Sequence, residues 1–439
     1  MFRNMANKYP SGKYVVSYKG TGTITYSFAA KKIEAESRPG RDIIDVNAND
    51  GGAGVLLTIT SIDPNKTGDY IRDISVVPLA QESTYQNDIF NPVFLEGIKK
   101  YKVLRFMDWM HTNNSTQKDW NDRPKLSSNT YTIKGAPAEI MVKLSNRMQA
   151  DPWFTLPHMA TDDYMRQFAM LVKAQLAPER KIYLEYSNEV WNWMFTQARW
   201  ANEQAIAKWG TSANYINWYG ERTAQMCNIW KEVFADNPAR VTCIMSGQAV
   251  NPWIVTQALE CPQSAMKPCY QHGISALAIA PYFGILNVKS NASQLETWTL
   301  DQLFQELLHG GVLMNSTKSA LQENLEWITN HATLAKKYNL HLMAYEGGQH
   351  LSGLGGAENN DAITALFISA NRDPRIGQVY TQYLNNWKQA GGGLFMHFVD
   401  VGKPSKWGSW GSREDQTQTS TPKHDALMNF IDANPRWWQ

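Results

Sequence analysis

The sequence has no run of about 18 consecutive apolar residues, so no transmembrane helix is expected and no membrane partner. It has no excess charge of either sign: 42 Lys and Arg stand against 40 Asp and Glu over 439 residues, a formal net of +2. Nucleic-acid binders carry a basic excess or a clustered basic stripe; neither is present, so nucleic acid is excluded as a partner. Cysteine is scarce, four residues with no CxxC or Cys/His spacing, which excludes a zinc site. No glycine-rich loop has phosphate-binding spacing. The expected cofactor and metal content is therefore none. Internal repeats and low-complexity segments are absent, and the first ten residues, MFRNMANKYP, lack the apolar stretch of a secretory leader.

Two of the cysteines, Cys261 and Cys269, bracket the Pro-bounded loop CPQSAMKPC. A local disulfide is expected there, which implies an oxidising compartment and a secreted or periplasmic protein whose leader lies outside this chain. Cys227 and Cys243 fall in segments that read as helix and strand, and are expected to be buried free thiols. Aromatic residues are plentiful: 17 Trp, 19 Tyr and 15 Phe. Trp109, Trp120, Trp191, Trp193, Trp407, Trp410, Trp437 and Trp438 lie beside polar or glycine residues. An indole in a polar loop offers an apolar face with a polar N–H, which suits the C–H face of a sugar ring as well as it suits capping a core.

The chain divides at about residue 80. Residues 12–77 hold short β-branched runs (GKYVVSYKG, GTITYSFAA, RDIIDVNAND, GVLLTITSID, YIRDISVVP) separated by Gly, Pro, Asn and Asp, the all-β signature. Residues 1–80 are expected to form a small β-sandwich, complete or short of strands where the chain begins. Strand–helix alternation follows, with apolar strands at 103–109, 152–158, 181–189, 240–248, 274–282, 341–348 and 392–400. Such runs fit parallel strands covered on both faces. Residues 81–439 are therefore expected to form a (β/α)8 TIM barrel, a fold of roughly 250 residues or more. The eighth strand is either 74–81 or a segment upstream of this chain. Asp162 and Asp163 look like an N-cap pair, and 402–422 is a Gly/Ser/Trp loop long enough to suggest function.

Active sites of such barrels lie at the C-terminal strand ends. Standing there are Asp108 and Trp109, His158, Asn188 and Glu189, Gln248, Tyr282, Glu346, and His397 and Asp400. Glu189 and Glu346 end strands three apart and so face each other across the mouth. Two opposed carboxyls are what glycosidic cleavage needs, one protonating the leaving oxygen while the other attacks the anomeric carbon. Asn188 beside Glu189 can donate to a sugar 2-OH, which makes Glu189 the acid/base. Arg105 and Tyr282 can donate to Glu346, which makes it the nucleophile. Glu185, four residues before Glu189 on the same strand parity, is expected to point into the barrel in a structural role; Asp108 is expected either to contact sugar or to pair with Arg105, the pairing being favoured.

LEYSNEVWN resembles the fourth-strand motif of the glycoside hydrolase clan A superfamily, and MAYEGG resembles its seventh-strand nucleophile motif. Arg105 in LRFMD, His158, and Tyr282 in APYFG are similar to the second-strand Arg, third-strand His and sixth-strand Tyr; Trp407 or Trp410 is similar to the aromatic platform after the eighth strand. The resemblance spans roughly residues 90–420 and lies nearest to family-5-like bacterial β-glycanases with a leading β-sandwich. Val190 stands where cellulase-like members often have Pro, and HFVD follows the eighth strand in place of Trp. The resemblance implies a retaining glycoside hydrolase, endo-acting on a β-linked polysaccharide, β-1,4-glucan (cellulose) first and xylan or mannan next. Alternatives are an exo-glycosidase on arabinosides or short oligosaccharides, and a catalytically silent carbohydrate-binding barrel. The implied partner is a polysaccharide or oligosaccharide substrate met by a monomer, with Arg105, Trp109, His158, Asn188, Tyr282, His397, Trp407 and Trp410 as its binding residues.

Overall fold

The computed structural model describes residues 1–314 and 316–438. They form two compact units, Met1–Gly97 with Asp415–Thr419, and Ile98–Glu414 with Ser420–Gln439.

The first unit is antiparallel. Its strands are β1 (Gly12–Lys19), β2 (Gly22–Phe28), β3 (Ala30–Lys32), β4 (Arg41–Val46), β5 (Val55–Ile62) and β6 (Arg72–Pro78). One sheet has the order β3-β4-β1-β6 and the other pairs β2 with β5. Alternation sends Tyr14 and Val16 of β1, Ile44 and Val46 of β4, and Val55 of β5 into one apolar cluster, so both sheets feed the same core. The segment 74–81, which the sequence left open, belongs to this unit: β6 pairs antiparallel with β1, Val15 opposite Val77 and Val16 opposite Val76.

The second unit is built on a curled sheet of six parallel strands in sequential order: β7 (Val103–Arg105), β8 (Asp151–Leu156), β9 (Ile182–Tyr186), β10 (Val241–Ser246), β11 (Ile274–Ile279) and β12 (His341–Ala344). A parallel bridge between Ala344 and Phe395 adds a seventh position. Among the described residues no eighth parallel strand follows, so the sheet falls short of the eight strands expected. Every residue of β8 and β9 is buried, as strands covered on both faces require.

Helices between the strands cover the outside. Between β9 and β10 run two helices, Thr196–Trp209 and Tyr215–Val233. Gly210 at φ 82° ends the first, and the side chain of Asn214 accepts from the Ile216 N–H to start the second. In the second helix a Cβ on Gly220 would stand 2.0 Å from the carbonyl oxygen of Ala258, so only glycine lets helix Pro252–Glu260 pack this closely. The expectation for Asp162 and Asp163 is corrected: Thr161 is the N-cap, its hydroxyl accepting from the Tyr164 N–H. The two aspartates lie in the first turn, where negative charge complements the helix dipole.

The expected disulfide Cys261–Cys269 is present. The expectation of free thiols at Cys227 and Cys243 is overturned, because these residues also form a disulfide. Helix Tyr215–Val233 runs back along β10 and brings the two Cα atoms to 5.9 Å, within bonding range. Among the described residues no helix is long and apolar enough to cross a membrane.

Candidate active site

The strand ends converge on one guanidinium. Arg105, the last residue of β7, donates from Nη1 to Glu346 Oε1 at 2.8 Å, from Nη2 to Asn188 Oδ1 at 2.9 Å, and from Nε and Nη2 to Glu185 Oε2 at 3.1 and 2.9 Å. Glu185 is 1% exposed, and it also accepts from Trp153 Nε1 at 2.9 Å and Ser246 Oγ at 2.7 Å, as a buried carboxyl requires. Strands β7, β8, β9 and β10 thus meet on Glu185, and through Arg105 they fix Glu346. This is the inward structural role expected of Glu185. Asp108 is exposed and makes no ion pair with Arg105, contrary to expectation.

Glu346 follows β12 and is buried. Its second oxygen accepts from the Tyr282 hydroxyl at 3.0 Å. Burial and the negative charge of Glu189 push the Glu346 carboxyl up to about 7, against the pull of Arg105 and Tyr282. Burial, then the charge and hydrogen bond of Glu346, push the Tyr282 phenol well above its ordinary range, so it stays a donor. Glycine follows Glu346 for a steric reason: a Cβ on Gly347 would stand 2.4 Å from the Phe395 ring.

Glu189 lies past the end of β9 on a backbone turned through Ser187 at φ 58° and Glu189 itself at φ 43°, a region uncommon for residues other than glycine. Its carboxylate accepts from Tyr345 OH at 3.0 Å and Asn192 Nδ2 at 2.9 Å. Asn188 also donates to Asn113 Oδ1 at 3.1 Å, an oxygen shared with Gln197 Nε2 at 2.7 Å. Tyr345 lies against Arg105, 5.1 Å from ring centroid to guanidinium, and against Trp191 at 6.2 Å.

The structure brings Arg105, Asn188, Tyr282, Glu189 and Glu346 together. Trp410 joins them, its ring 5.7 Å from Tyr282 and 5.0 Å from His350. Trp407 is 57% exposed, and its carbonyl accepts from Trp410 Nε1 at 3.2 Å and Ser352 Oγ at 3.1 Å. Trp109 packs against Phe106 at 5.7 Å. His158 and His397 hydrogen-bond to neither carboxylate: His158 lies 6.2 Å from the Trp200 ring, and His397 Nε2 is 3.3 Å from Tyr380 OH. Burial holds both imidazoles neutral, His158 down to about 4 and His397 to about 3. Sequence reasoning missed Tyr345, Asn192, Trp153, Ser246, Asn113, Gln197 and His350. Only Asn192 left a signal, three residues after Glu189 within the same short turn. Among the described residues no group of three or more His, Cys, Asp and Glu side chains is placed to hold a metal ion.

The fold and site define an α/β protein with a parallel sheet, whose strand ends hold two hydrogen-bonded carboxyls linked through the contact of Arg105 with the Tyr345 ring. No protein-family description matches the chain, and no curated protein matches it. Among solved structures the chain is similar to glycoside hydrolases of families 5 and 26. One is a broad-specificity GH5-4 endoglucanase from an uncultured bacterium (14% identity, covering 66% of this chain and 72% of that one, TM-score 0.35). Another is a modular endo-β-1,4-mannanase from Cellulomonas fimi (10%, 78% and 73%, TM-score 0.40). A third is a Bacteroides ovatus GH5 xyloglucanase in complex with a XXXG heptasaccharide (11%, 96% and 94%, TM-score 0.41).

Proposed function

We propose that the chain is a retaining glycoside hydrolase, endo-acting on a β-linked polysaccharide with β-1,4-glucan favoured. The observation that carries this is the unequal dressing of the two carboxyls. Glu346 accepts from a cation and a phenol, which pull toward the charged form a nucleophile needs, against the burial and the Glu189 charge that raise its carboxyl to about 7. Glu189 accepts from two neutral donors, Tyr345 and Asn192, the dressing that suits an acid/base. In the first step Glu346 attacks the anomeric carbon while Glu189 protonates the departing glycosidic oxygen; in the second Glu189 takes a proton from water, which displaces Glu346. Asn188, oriented by Arg105 and Asn113, keeps a second amide N–H for the sugar hydroxyl next to the anomeric carbon. The two disulfides support an oxidising compartment and a secreted or periplasmic protein.

The experiment is proton NMR of the first products formed from cellohexaose. Double displacement releases sugar with the anomeric configuration of the substrate. Initial appearance of the inverted anomer sinks the proposal, as does the absence of cleavage across a panel of glucan, xylan, mannan and arabinoside substrates.

A further inference from the structure

The loop after Glu189 sorts its side chains sharply. Val190 and Trp191 are buried, Trp191 lying 6.2 Å from Tyr345 and 6.1 Å from Tyr219. Trp193 and Met194 point out, 51% and 80% exposed. Exposed large apolar residues scattered singly are ordinary on a protein surface; these two are adjacent and firmly held. The side chain of Asn192 donates to Glu189 Oε2 at 2.9 Å and accepts from the Met194 N–H at 3.1 Å. One amide therefore fixes both the carboxyl and the backbone carrying the exposed pair. The Trp193 indole rests edge-on against Tyr215 at 5.2 Å, and the Tyr215 hydroxyl donates to the Trp191 carbonyl at 3.3 Å. Arg199 Nη1 donates to the Trp193 carbonyl at 3.3 Å. The indole is thus immobilised with about half its surface in water.

Trp410 borders Tyr282, the donor to Glu346. Each carboxyl is thus tied to a tryptophan, Glu346 through Tyr282 to Trp410, and Glu189 through Asn192 to the short loop that carries Trp193. This matters on the reading of Glu189 as acid and Glu346 as nucleophile, on which the inference rests: the acid faces the leaving group and the nucleophile faces the sugar it captures. We infer that Trp193, flanked by Met194, is the binding platform for the leaving-group side of the substrate, the β-linked sugar units beyond the cleaved bond. A fixed indole suits that ligand because the apolar C–H face of a pyranose buries against it with little ordering cost.

The test compares Trp193→Ala and Trp193→Phe with wild type on cellohexaose and on 4-nitrophenyl β-cellobioside, whose leaving group contains no sugar. The expected result is that the ratio of kcat/KM on cellohexaose to that on the aryl glycoside falls about tenfold in Trp193→Ala and by less in Trp193→Phe. A parallel fall on both substrates, or no fall on either, overturns the inference, since the residue then only shapes the loop or does nothing. If wild type cleaves neither compound, the glycosidase reading fails separately. Titration of cellotetraose into wild type and Trp193→Ala then decides the platform: a Kd at least fivefold weaker in the variant supports it, while an equal Kd or no binding to wild type overturns it.

Discussion

Tyr345 donates its hydroxyl to Glu189 at 3.0 Å, so the residue immediately before one carboxyl holds the other. The peptide carrying Glu346 is therefore also part of the Glu189 site, and a change at Tyr345 acts on Glu189 while leaving the Arg105 contact with Glu346 in place. Tyr345→Phe keeps the buried ring and removes one hydrogen bond to a charged group, worth about 1.5–3 kcal/mol. The expected outcome is a roughly ten- to hundredfold loss of kcat/KM on polysaccharide. The loss should be smaller on aryl glycosides with activated leaving groups, which need no protonation. Equal losses on both substrates would show that the hydroxyl does not act through Glu189.

The two carboxyls separate by chemical rescue. Glu346→Ala should abolish turnover on every substrate. Glu189→Ala should retain the first step on activated aryl glycosides, and added azide should accelerate the second to give a β-glycosyl azide. Azide rescue of Glu346→Ala with a retained-configuration product, and not of Glu189→Ala, would reverse the roles.

The strands of the second unit were legible because buried parallel strands leave continuous apolar runs, and Arg105, Asn188, Tyr282 and Glu346 were legible because such strands end at the site. The place of 74–81 was not, since a β-branched run reads alike in either sheet and only its pairing with β1 decides. Glu185 was visible as inward-pointing through strand parity, but its three donors come from three other strands, and no local spacing encodes them. The Cys227–Cys243 bond was hidden for the same kind of reason. A helix residue and a strand residue 16 apart meet only if the chain doubles back between them, and both ends are apolar enough to pass as core.

The pH dependence follows from Glu346. Its carboxyl is raised to about 7, so the folded state binds a proton there that the unfolded chain has released above its ordinary 4.5. Stability from this group is therefore lost as pH rises from about 4.5 to about 7. His158 and His397, depressed by burial, contribute the opposite slope below their ordinary 6.5. The contrast between wild type and Glu346→Gln isolates the first effect. Thermal melts from pH 4.5 to 8 should show wild type losing stability relative to the variant as pH rises. The acidic limb of wild-type kcat/KM should lie above 4.5. A wild-type-minus-variant difference that is flat across this range contradicts the assignment.

The two tryptophans of the loop after Phe395 should differ. Trp410 is seated against Tyr282 and His350, whereas Trp407 is mostly in water. Trp410→Ala should lower kcat/KM on polymer about tenfold or more, since burying a large apolar side chain is worth roughly 1.5–3 kcal/mol. Trp407→Ala should have the smaller effect. A drop in melting temperature with kcat/KM of the folded fraction intact would make Trp410 a packing residue.

Removing the disulfides should cost stability, slightly more for the longer loop, because the cost grows with the logarithm of loop length. Cys227→Ser with Cys243→Ser opens a separation of 16 residues, about 3 kcal/mol on the chain-entropy scale. Cys261→Ser with Cys269→Ser opens one of 8, roughly 2.5 kcal/mol on the same scale. Urea melts of the two double variants measure both. The first pair should also lower activity, because β10 carries the Ser246 hydroxyl that donates to Glu185.

Arg105 divides one positive charge between Glu185 and Glu346. With both of those carboxyls ionised, the floor of the cleft carries one negative charge in excess before Glu189 is counted. A neutral sugar gains positive charge at its anomeric carbon and ring oxygen as the glycosidic bond loosens, becoming an oxocarbenium ion at the summit of each step. Once Glu346 is ionised, the anion that favours this cation is fixed by hydrogen bonds from Arg105 and Tyr282, so little has to reorient as the charge grows. The guanidinium that positions the nucleophile is itself bonded twice to Glu185, so Glu346 is not its sole carboxyl partner.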